Sequence, residues 1–355
     1  MIQEKKEKSL INTINKSFLE LRHIKLKVTD SCNLRCPKCD FWKYSPSNNL
    51  TTDIIESLIK QGVKLGLKTI HLSGGEPTIR KDLLRLVEYG SKKEISFGIV
   101  TNGTYLNPEQ NLELAKAGIK TWTFSLDTAD PSDFYESVGR TISIDKVKEN
   151  IKYMSNNKHS HNLKVNILTV VTSNNYSKLE EIATLAKSLD VNSFKIMPYD
   201  YRQNNINGGT STLNELNLNK EQIKYFNKFI VPSLETFSKK NNLLIYPSYS
   251  LNIFGKTSKE IELSSNGDVA LGYYDSNTCF MPWIHLSIFP SGDAYICCKK
   301  TYVPLGNVQT HSILEIIGGQ KMNEARKLFV NNAPLDSCKS CTSNAYENRI
   351  LGGTL

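Results

Sequence analysis

The sequence predicts an α/β protein: a parallel sheet flanked by helices, followed by a small α+β region. Three observations carry this. Between about 23 and 200, short β-branched apolar runs alternate six times with helical patterns, and strand–helix repeats in series build a parallel sheet with helices outside it. The eight cysteines fall into two groups, 32, 36 and 39 against 279, 297, 298, 338 and 341, with about 240 residues between them that contain none. The second group surrounds a hairpin pattern rather than another strand–helix repeat.

Residues 1–20 form a short polar lead-in that carries some helical apolar spacing. His23–Val28 alternates polar and apolar residues and reads as the first strand. Its C-terminal loop carries Cys32, Cys36 and Cys39, at the end of the strand where catalytic groups gather in α/β barrels. Thr51 and Thr52 cap a helix over 53–65 that Gly66 ends. The strand Lys68–Leu72 runs into Ser73-Gly-Gly-Glu-Pro77, and a helix follows over about 80–90. Strands at 95–100, 120–126, 163–171 and 193–197 alternate with helices at 108–117, 144–156 and 178–189. A stretch rich in Asn, Gly and Thr over 203–216 reads as a loop near the sheet's mouth. A helix over 219–240 and a strand near 243–246 then lead to the second cysteine group. There His285–Phe289 and Ala294–Ile296 flank a Ser-Gly-Asp turn, a hairpin that brings Cys279 and Cys297 together. The expected organisation is a lead-in (1–20), a core (21–215), a linker helix and strand (216–250) and a C-terminal region (251–355).

Composition narrows the function classes. Hydrophobic residues are 39% of the 355 and charged residues 22%, which is ordinary for a globular chain. No apolar run approaches the roughly 20 residues of a membrane span. The N-terminus lacks a signal-peptide core, so a cytoplasmic location is expected. The net charge of +9 comes from interspersed Lys and Glu rather than a basic block. That reads as a solvated surface and not a nucleic-acid footprint, though it favours an anionic substrate or an acidic redox partner. Cysteines in such a chain argue for metal chemistry over a disulfide framework.

Three thiolates in C-x3-C-x2-C cannot close a four-ligand zinc site, which wants four donors. A [4Fe–4S] cluster on three cysteines keeps one iron for an outside ligand. The alternative is a zinc knuckle borrowing a distant ligand, or three buried thiols. Cys279, Cys297, Cys338 and Cys341 make a complete four-ligand set, for zinc or for a fully ligated cluster. Cys298 is left over, either as a small buried side chain or as a hydrogen-atom donor. Adjacent strand residues face opposite ways, which would turn Cys298 away from the metal that Cys297 holds.

The C-x3-C-x2-C loop, with Gly74-Gly75-Glu76-Pro77 one repeat later, resembles the signature of the radical S-adenosylmethionine (SAM) superfamily. The resemblance implies an open (β/α)6 partial barrel and a SAM-binding [4Fe–4S] cluster on Cys32, Cys36 and Cys39. It implies the Gly-Gly-Glu-Pro loop on the SAM amino group. Ser125, Asp127, Thr101 and Asn102 would lie about the rest of SAM, and Arg140 on its carboxylate; Asp127 could instead cap the next turn, and Thr101 and Asn102 simply make one. The family prefers an aromatic before the third cysteine, near the adenine. Here that position is Lys38, whose alkyl stem substitutes, with Phe41 and Trp42 close behind.

The C-x17-C and C-x2-C set is similar to the SPASM and shorter twitch auxiliary-cluster domains. It implies one four-cysteine [4Fe–4S] cluster that accepts an electron. By this resemblance the chain is a radical SAM oxidoreductase that makes a 5′-deoxyadenosyl radical, abstracts a hydrogen atom and completes a two-electron oxidation. Its substrate would be a small hydroxylated molecule of sugar or aminocyclitol type, and its reductant a flavodoxin- or ferredoxin-type protein. Substrate-facing candidates are Tyr199, Asp200, Tyr201 and Arg202, with Tyr246 and Tyr249. The alternatives are a peptide maturase, a redox-neutral epimerase using Cys298, and, outside enzymes, a zinc-stapled binding protein.

Overall fold

The computed structural model describes residues 21–43, 49–199, 215–247, 251–275, 277–298, 303–331, 333 and 335–341. Seven parallel strands are laid down in chain order. They are β1 (His23–Thr29), β2 (Thr69–Gly74), β3 (Ser96–Thr101), β4 (Ile119–Ser125), β5 (Lys164–Val171), β6 (Ser193–Pro198) and β7 (Leu244–Tyr246). Helices α1 (Thr52–Lys64), α2 (Leu83–Ser91), α3 (Pro108–Ala117), α4 (Pro131–Val138), α5 (Ile144–Asn156) and α6 (Leu179–Ser188) lie between them. The expected elements of the core are therefore present, with α4 in addition. Asp130 starts α4 by accepting from the Ser132 N–H, with Pro131 at the first helical position, where a missing N–H costs nothing.

The C-terminal region is not a separate layer. Its strand β8 (His285–Ile288) pairs in parallel with β1, from His23 opposite His285 to Leu26 opposite Ile288. Strands β9 (Asp293–Tyr295) and β10 (Gly306–Asn307) add antiparallel. The expected linker strand is β7, paired in parallel with β6. One ten-stranded sheet results, in the order β10-β9-β8-β1-β2-β3-β4-β5-β6-β7. Its two edges stay apart, so the barrel is partial. The expected hairpin is joined by helices α8 (Ser258–Ser265), α9 (Met281–Ile284), α10 (Ile313–Gly318) and α11 (Gln320–Val330). The helix over 220–241, α7, widens to a π-helical turn at Phe226–Ile230. Pro232 cannot donate to the carbonyl four residues back, and the wider turn absorbs that gap.

The two faces of the sheet differ in chemistry. The helix-facing row (Ile24, Leu26, Ile70, Leu72, Ile99, Trp122, Phe124, Val165, Ile167 and Phe194) is at most 1% exposed. Each such side chain stabilises the fold by roughly 1.5–3 kcal/mol, so the core lies between sheet and helices. The alternate, concave row carries Lys25, His71, Thr123, Asn166, Ser193, Lys195 and His285. A filled barrel is packed there with Val, Ile and Leu; this concave row is largely polar, with Val100, Leu168 and Met197 among it.

Candidate active site

The first cysteine loop leaves β1 at Thr29 and is held down by β2's loop. The Gly75 N–H donates to the Thr29 carbonyl at 2.8 Å and the Glu76 N–H to the Ser31 carbonyl at 2.8 Å. The approach is so close that a Cβ on Gly75 would lie 2.1 Å from the Ser31 oxygen. One on Gly74, whose φ is +139°, would lie 2.2 Å from that of Thr29. Only glycine fits both places. From the next turn, Arg80 Nη1 donates to the carbonyls of Val28 (2.9 Å) and Leu50 (3.0 Å), while its Nε meets Asp82 Oδ1 at 2.7 Å. The opposite flank is closed by Gly139, packed on the Arg35 carbonyl after α4.

Within this frame the three sulfurs converge. Cys39 closes a turn onto Cys36, its N–H 3.1 Å from the Cys36 carbonyl. The Leu34 N–H points at Cys32 Sγ at 3.4 Å, and Asn102 Nδ2 lies 3.8 Å from it. Burial pushes the Cys32 thiol up to about 11 and Cys36 up to about 12, both with further raising from neighbouring sulfurs, and burial also raises Cys39. Bare thiolates are costly in such a pocket; iron would hold them deprotonated. N–H groups aimed at sulfur are the contacts that tune cluster thiolates, so these residues fit an iron–sulfur cluster. Lys27 stands beside them, its ammonium 4.2 Å from the Phe41 ring centre and 3.9 Å from that of Phe289.

Glu76 does not offer a carboxylate to a ligand. It is fully buried, with Oε1 accepting from the Thr78 N–H (3.1 Å), the Thr78 hydroxyl (2.6 Å) and the Thr101 hydroxyl (2.7 Å). Its Oε2 accepts from the Asn102 N–H at 2.7 Å. Glu76 and Thr101 therefore latch β2's loop to the end of β3, and Asn102 Nδ2 reaches Asn33 Oδ1 at 2.9 Å to brace the cysteine loop. That leaves the backbone of Gly74–Pro77 to meet an ammonium group.

Lys38, expected beside an adenine, ion-pairs with Asp127 instead. Asp127 Oδ1 accepts the Val170 N–H at 2.9 Å, so Asp127 spans β4 and β5 and does not cap the next turn; Asp130 does that. This pair walls a cavity of about 460 Å³ whose lining includes Pro37, Thr128, Asn175 and Leu216. Ser125 ends β4 on the concave face, half-buried. Arg140 is exposed. Tyr199 is buried, with its hydroxyl 3.4 Å from the Lys38 carbonyl. Asp200, Tyr201, Arg202 and Tyr249, and the loop up to 214, lie outside the described residues.

The second cysteine group also assembles. Cys338 and Cys341 close the same kind of turn, the Cys341 N–H 3.1 Å from the Cys338 carbonyl. Burial, then the sulfurs of Cys298, Cys341, Cys279 and Cys338, raise Cys297. The buried Tyr274 hydroxyl donates to Cys341 Sγ at 3.4 Å and is itself raised by burial and by Cys341, Cys279 and Cys338. No sequence pattern marked Tyr274. Cys297 and Cys298 follow β9 in a bend rather than a strand, so the expected alternation of faces does not apply and Cys298 stays near Cys297. Among the described residues there is no disulfide and no group of His, Cys, Asp or Glu arranged for a single metal ion.

Comparison with known proteins matches residues 26–186 to the radical SAM superfamily and residues 279–342 to SPASM, an iron–sulfur cluster-binding domain. The chain is 28% identical over 183 residues to a tungsten-containing aldehyde ferredoxin oxidoreductase cofactor-modifying protein of Pyrococcus furiosus, covering 50% of this chain and 51% of that protein. It is 32% identical over 199 residues to a GTP 3′,8-cyclase of Peptoclostridium acidaminophilum, covering 52% and 60%. The chain spans little more than half the length of these curated relatives. Among solved structures, Streptococcus suis SuiB bound to precursor peptide SuiA superposes with a TM-score of 0.67 at 18% identity, covering 97% of this chain and 76% of that one. Native anSMEcpe with bound AdoMet and the Cp18Cys peptide gives 0.62 at 19%, covering 90% and 85%. At these identities the likeness is one of fold. The two matched domains imply a SAM-binding [4Fe–4S] cluster and an auxiliary iron–sulfur cluster. No helix among the described residues is long and apolar enough to cross a membrane.

Proposed function

We propose, proceeding from a chain that belongs to the radical SAM superfamily and carries a SPASM iron–sulfur domain, that it is an oxidoreductase acting on a small hydroxylated substrate held in the barrel. The observation that supports this most directly is the convergence of three half-buried thiols on the loop that leaves the end of β1, on a sheet whose concave face is largely polar. When bound, the cofactors would supply reductive cleavage of SAM and removal of a hydrogen atom from substrate, with the auxiliary cluster taking the second electron as a proton leaves.

The chain's own residues divide the work. Cys32, Cys36 and Cys39 would hold the core cluster, with Leu34 and Asn102 donating to Cys32. The backbone of Gly74–Pro77 would receive the SAM ammonium, since Glu76 is already saturated. Arg140 and Ser125 would serve the carboxylate and ribose. Ser125, half-buried at the end of β4, offers a hydroxyl group for a polyol. Cys279, Cys297, Cys338 and Cys341 would hold the auxiliary cluster, and full ligation suits electron transfer over substrate activation. An external flavodoxin- or ferredoxin-type protein would supply the reducing electron.

The test is anaerobic incubation with SAM and a strong reductant, following 5′-deoxyadenosine and methionine. The parent protein should release both, and Cys36→Ala should release neither. No release from iron-replete parent protein would overturn the reading.

A further inference from the structure

We propose that Lys27 is a positioning residue for the core iron–sulfur cluster. Its ammonium, caged by one ring from each cysteine region, is a fixed positive charge at the first cysteine loop, and through that cage the C-terminal region helps to set the cluster's reduction potential. The proposal goes beyond the function above but rests on its placement of a cluster at Cys32, Cys36 and Cys39.

The cage follows from strand register. Lys27 lies half-buried on the concave row of β1, two residues before Thr29, where the cysteine loop begins. Strands β1 and β8 pair in parallel with Lys25 opposite Ser287, which brings Phe289, the residue after β8, level with Lys27. The Lys27 ammonium is 3.9 Å from the Phe289 ring centre and 4.2 Å from that of Phe41. Both distances lie well inside the roughly 6 Å reach of a cation–π contact.

Each ring is anchored by its own part of the fold. Phe41 follows Cys39 by two residues and opens the short turn Phe41–Lys43, and its N–H hydrogen-bonds the Cys39 sulfur. Phe289 is buried and packs edge-on against Tyr295 of β9, with ring centres 5.0 Å apart. The Gly292 N–H closes the hairpin turn on the Phe289 carbonyl at 2.8 Å. The next residue, Pro290, accepts from the Leu50 N–H at 2.9 Å, and Leu50 also receives Arg80 at its own carbonyl. The hairpin is thereby tied to the segment that leaves the cysteine loop. A shift of either cysteine region displaces one wall of the cage.

The cage suits an electrostatic role. Aromatic faces hold an ammonium through their quadrupole without cancelling its charge. Reduction adds one negative charge to a cluster, and a positive charge fixed in a partly desolvated site stabilises that state. The same sign of effect is felt at Cys39, whose thiolate is favoured by Lys38 and Lys27. Lys27 thus makes the core cluster easier to reduce, and it does so only while Phe41 and Phe289 keep it in place.

The experiment is a reductive titration of anaerobically prepared, iron-loaded protein, read by electron paramagnetic resonance. The Cys32/Cys36/Cys39→Ala variant supplies the auxiliary signal alone, so that the core signal can be separated. The variants are Lys27→Met, charge-keeping Lys27→Arg, Phe289→Leu and the surface control Lys187→Met. In Lys27→Met the equilibrium constant for one-electron reduction of the core cluster should fall at least tenfold, a downward shift of about 59 mV or more. Phe289→Leu should move it in the same direction by less, and Lys27→Arg and the control should leave it in place. The auxiliary potential should not move in any of them. An unmoved core potential in Lys27→Met, or an equal shift at both clusters, overturns the proposal. The titration reads only molecules that hold a cluster, so partial loading does not blunt it. If Lys27→Met holds no core cluster at all, Phe289→Leu decides, and an unmoved core potential there overturns the proposal. A parent protein with no reducible core cluster would instead sink the proposed function, whereas equal potentials in parent and Lys27→Met sink the role of Lys27 alone.

Discussion

The Tyr274 hydroxyl lies 3.4 Å from Cys341 Sγ, on the buried side of the second cysteine group. It is an uncharged donor aimed at a sulfur that would carry negative charge when ligated. A hydrogen bond to a cluster sulfur stabilises the reduced, more negative state.

Tyr274→Phe removes that donor and little else, since the ring stays packed edge-on against Tyr273. The expected result is an unchanged iron content with a lower midpoint potential for the auxiliary cluster, read by redox titration under electron paramagnetic resonance. A stability loss of about 1 kcal/mol accompanies it. An unaltered potential would mean the hydroxyl does not address a ligated sulfur.

Glu76→Gln tests the latch between β2 and β3. A carboxylate accepts all four of its present donors, whereas an amide must turn its NH₂ toward at least one of them. The mismatch costs roughly 1–3 kcal/mol. Thermal unfolding should move down by several degrees, and SAM affinity should fall because Gly74 and Gly75 lose their anchor. Normal stability in this variant would show that the four contacts contribute nothing.

Arg80→Lys keeps the charge and loses the planar fork. Arg80 joins the carbonyls of Val28 and Leu50 to Asp82 in one geometry, which an ammonium cannot reproduce. Iron retention at the core cysteines should fall on mild oxidation, while the auxiliary site is spared. Equal loss from both sites would instead indicate a global effect.

The histidines at the barrel floor predict acid sensitivity. Burial, then Lys25, holds His23 down at about 4; burial with Lys25, His23 and Lys195 holds His71 at about 3. In the unfolded chain both titrate near 6.5, so on acidification the unfolded state binds protons first. Their stabilising contribution is complete above about pH 6.5 and is lost as pH falls toward about 4. The slope is at most roughly 1.4 kcal/mol per pH unit for each ring. Unfolding midpoints measured from pH 7.5 to 5 should fall for the parent and fall less for His71→Gln. A flat profile would place these rings outside the folding linkage.

Much of this was legible in the sequence because local rules govern it. Thr51 was expected to cap α1, and it accepts from the Ile54 N–H at 3.4 Å. The Ser-Gly-Asp turn does join β8 to β9. Helix α4 has its signal in Asp130-Pro131, set among polar residues. What stayed hidden depends on contacts distant in sequence. Nothing in the periodicity of 285–288 says that it pairs with 23–26, and so nothing says that the C-terminal region extends the core sheet. The motif of Glu76 marks it as a ligand for SAM, yet four donors from Thr78, Thr101 and Asn102 use it up.

The central claim is that two separate cysteine sets hold two iron–sulfur clusters. Iron, sulfide and zinc content, with the visible spectrum, measured on anaerobically prepared parent and on a Cys32/Cys36/Cys39→Ala variant, tests it most directly. About eight irons per chain in the parent and about four in the variant are predicted. Zinc in either site, or no iron after reconstitution, would contradict it.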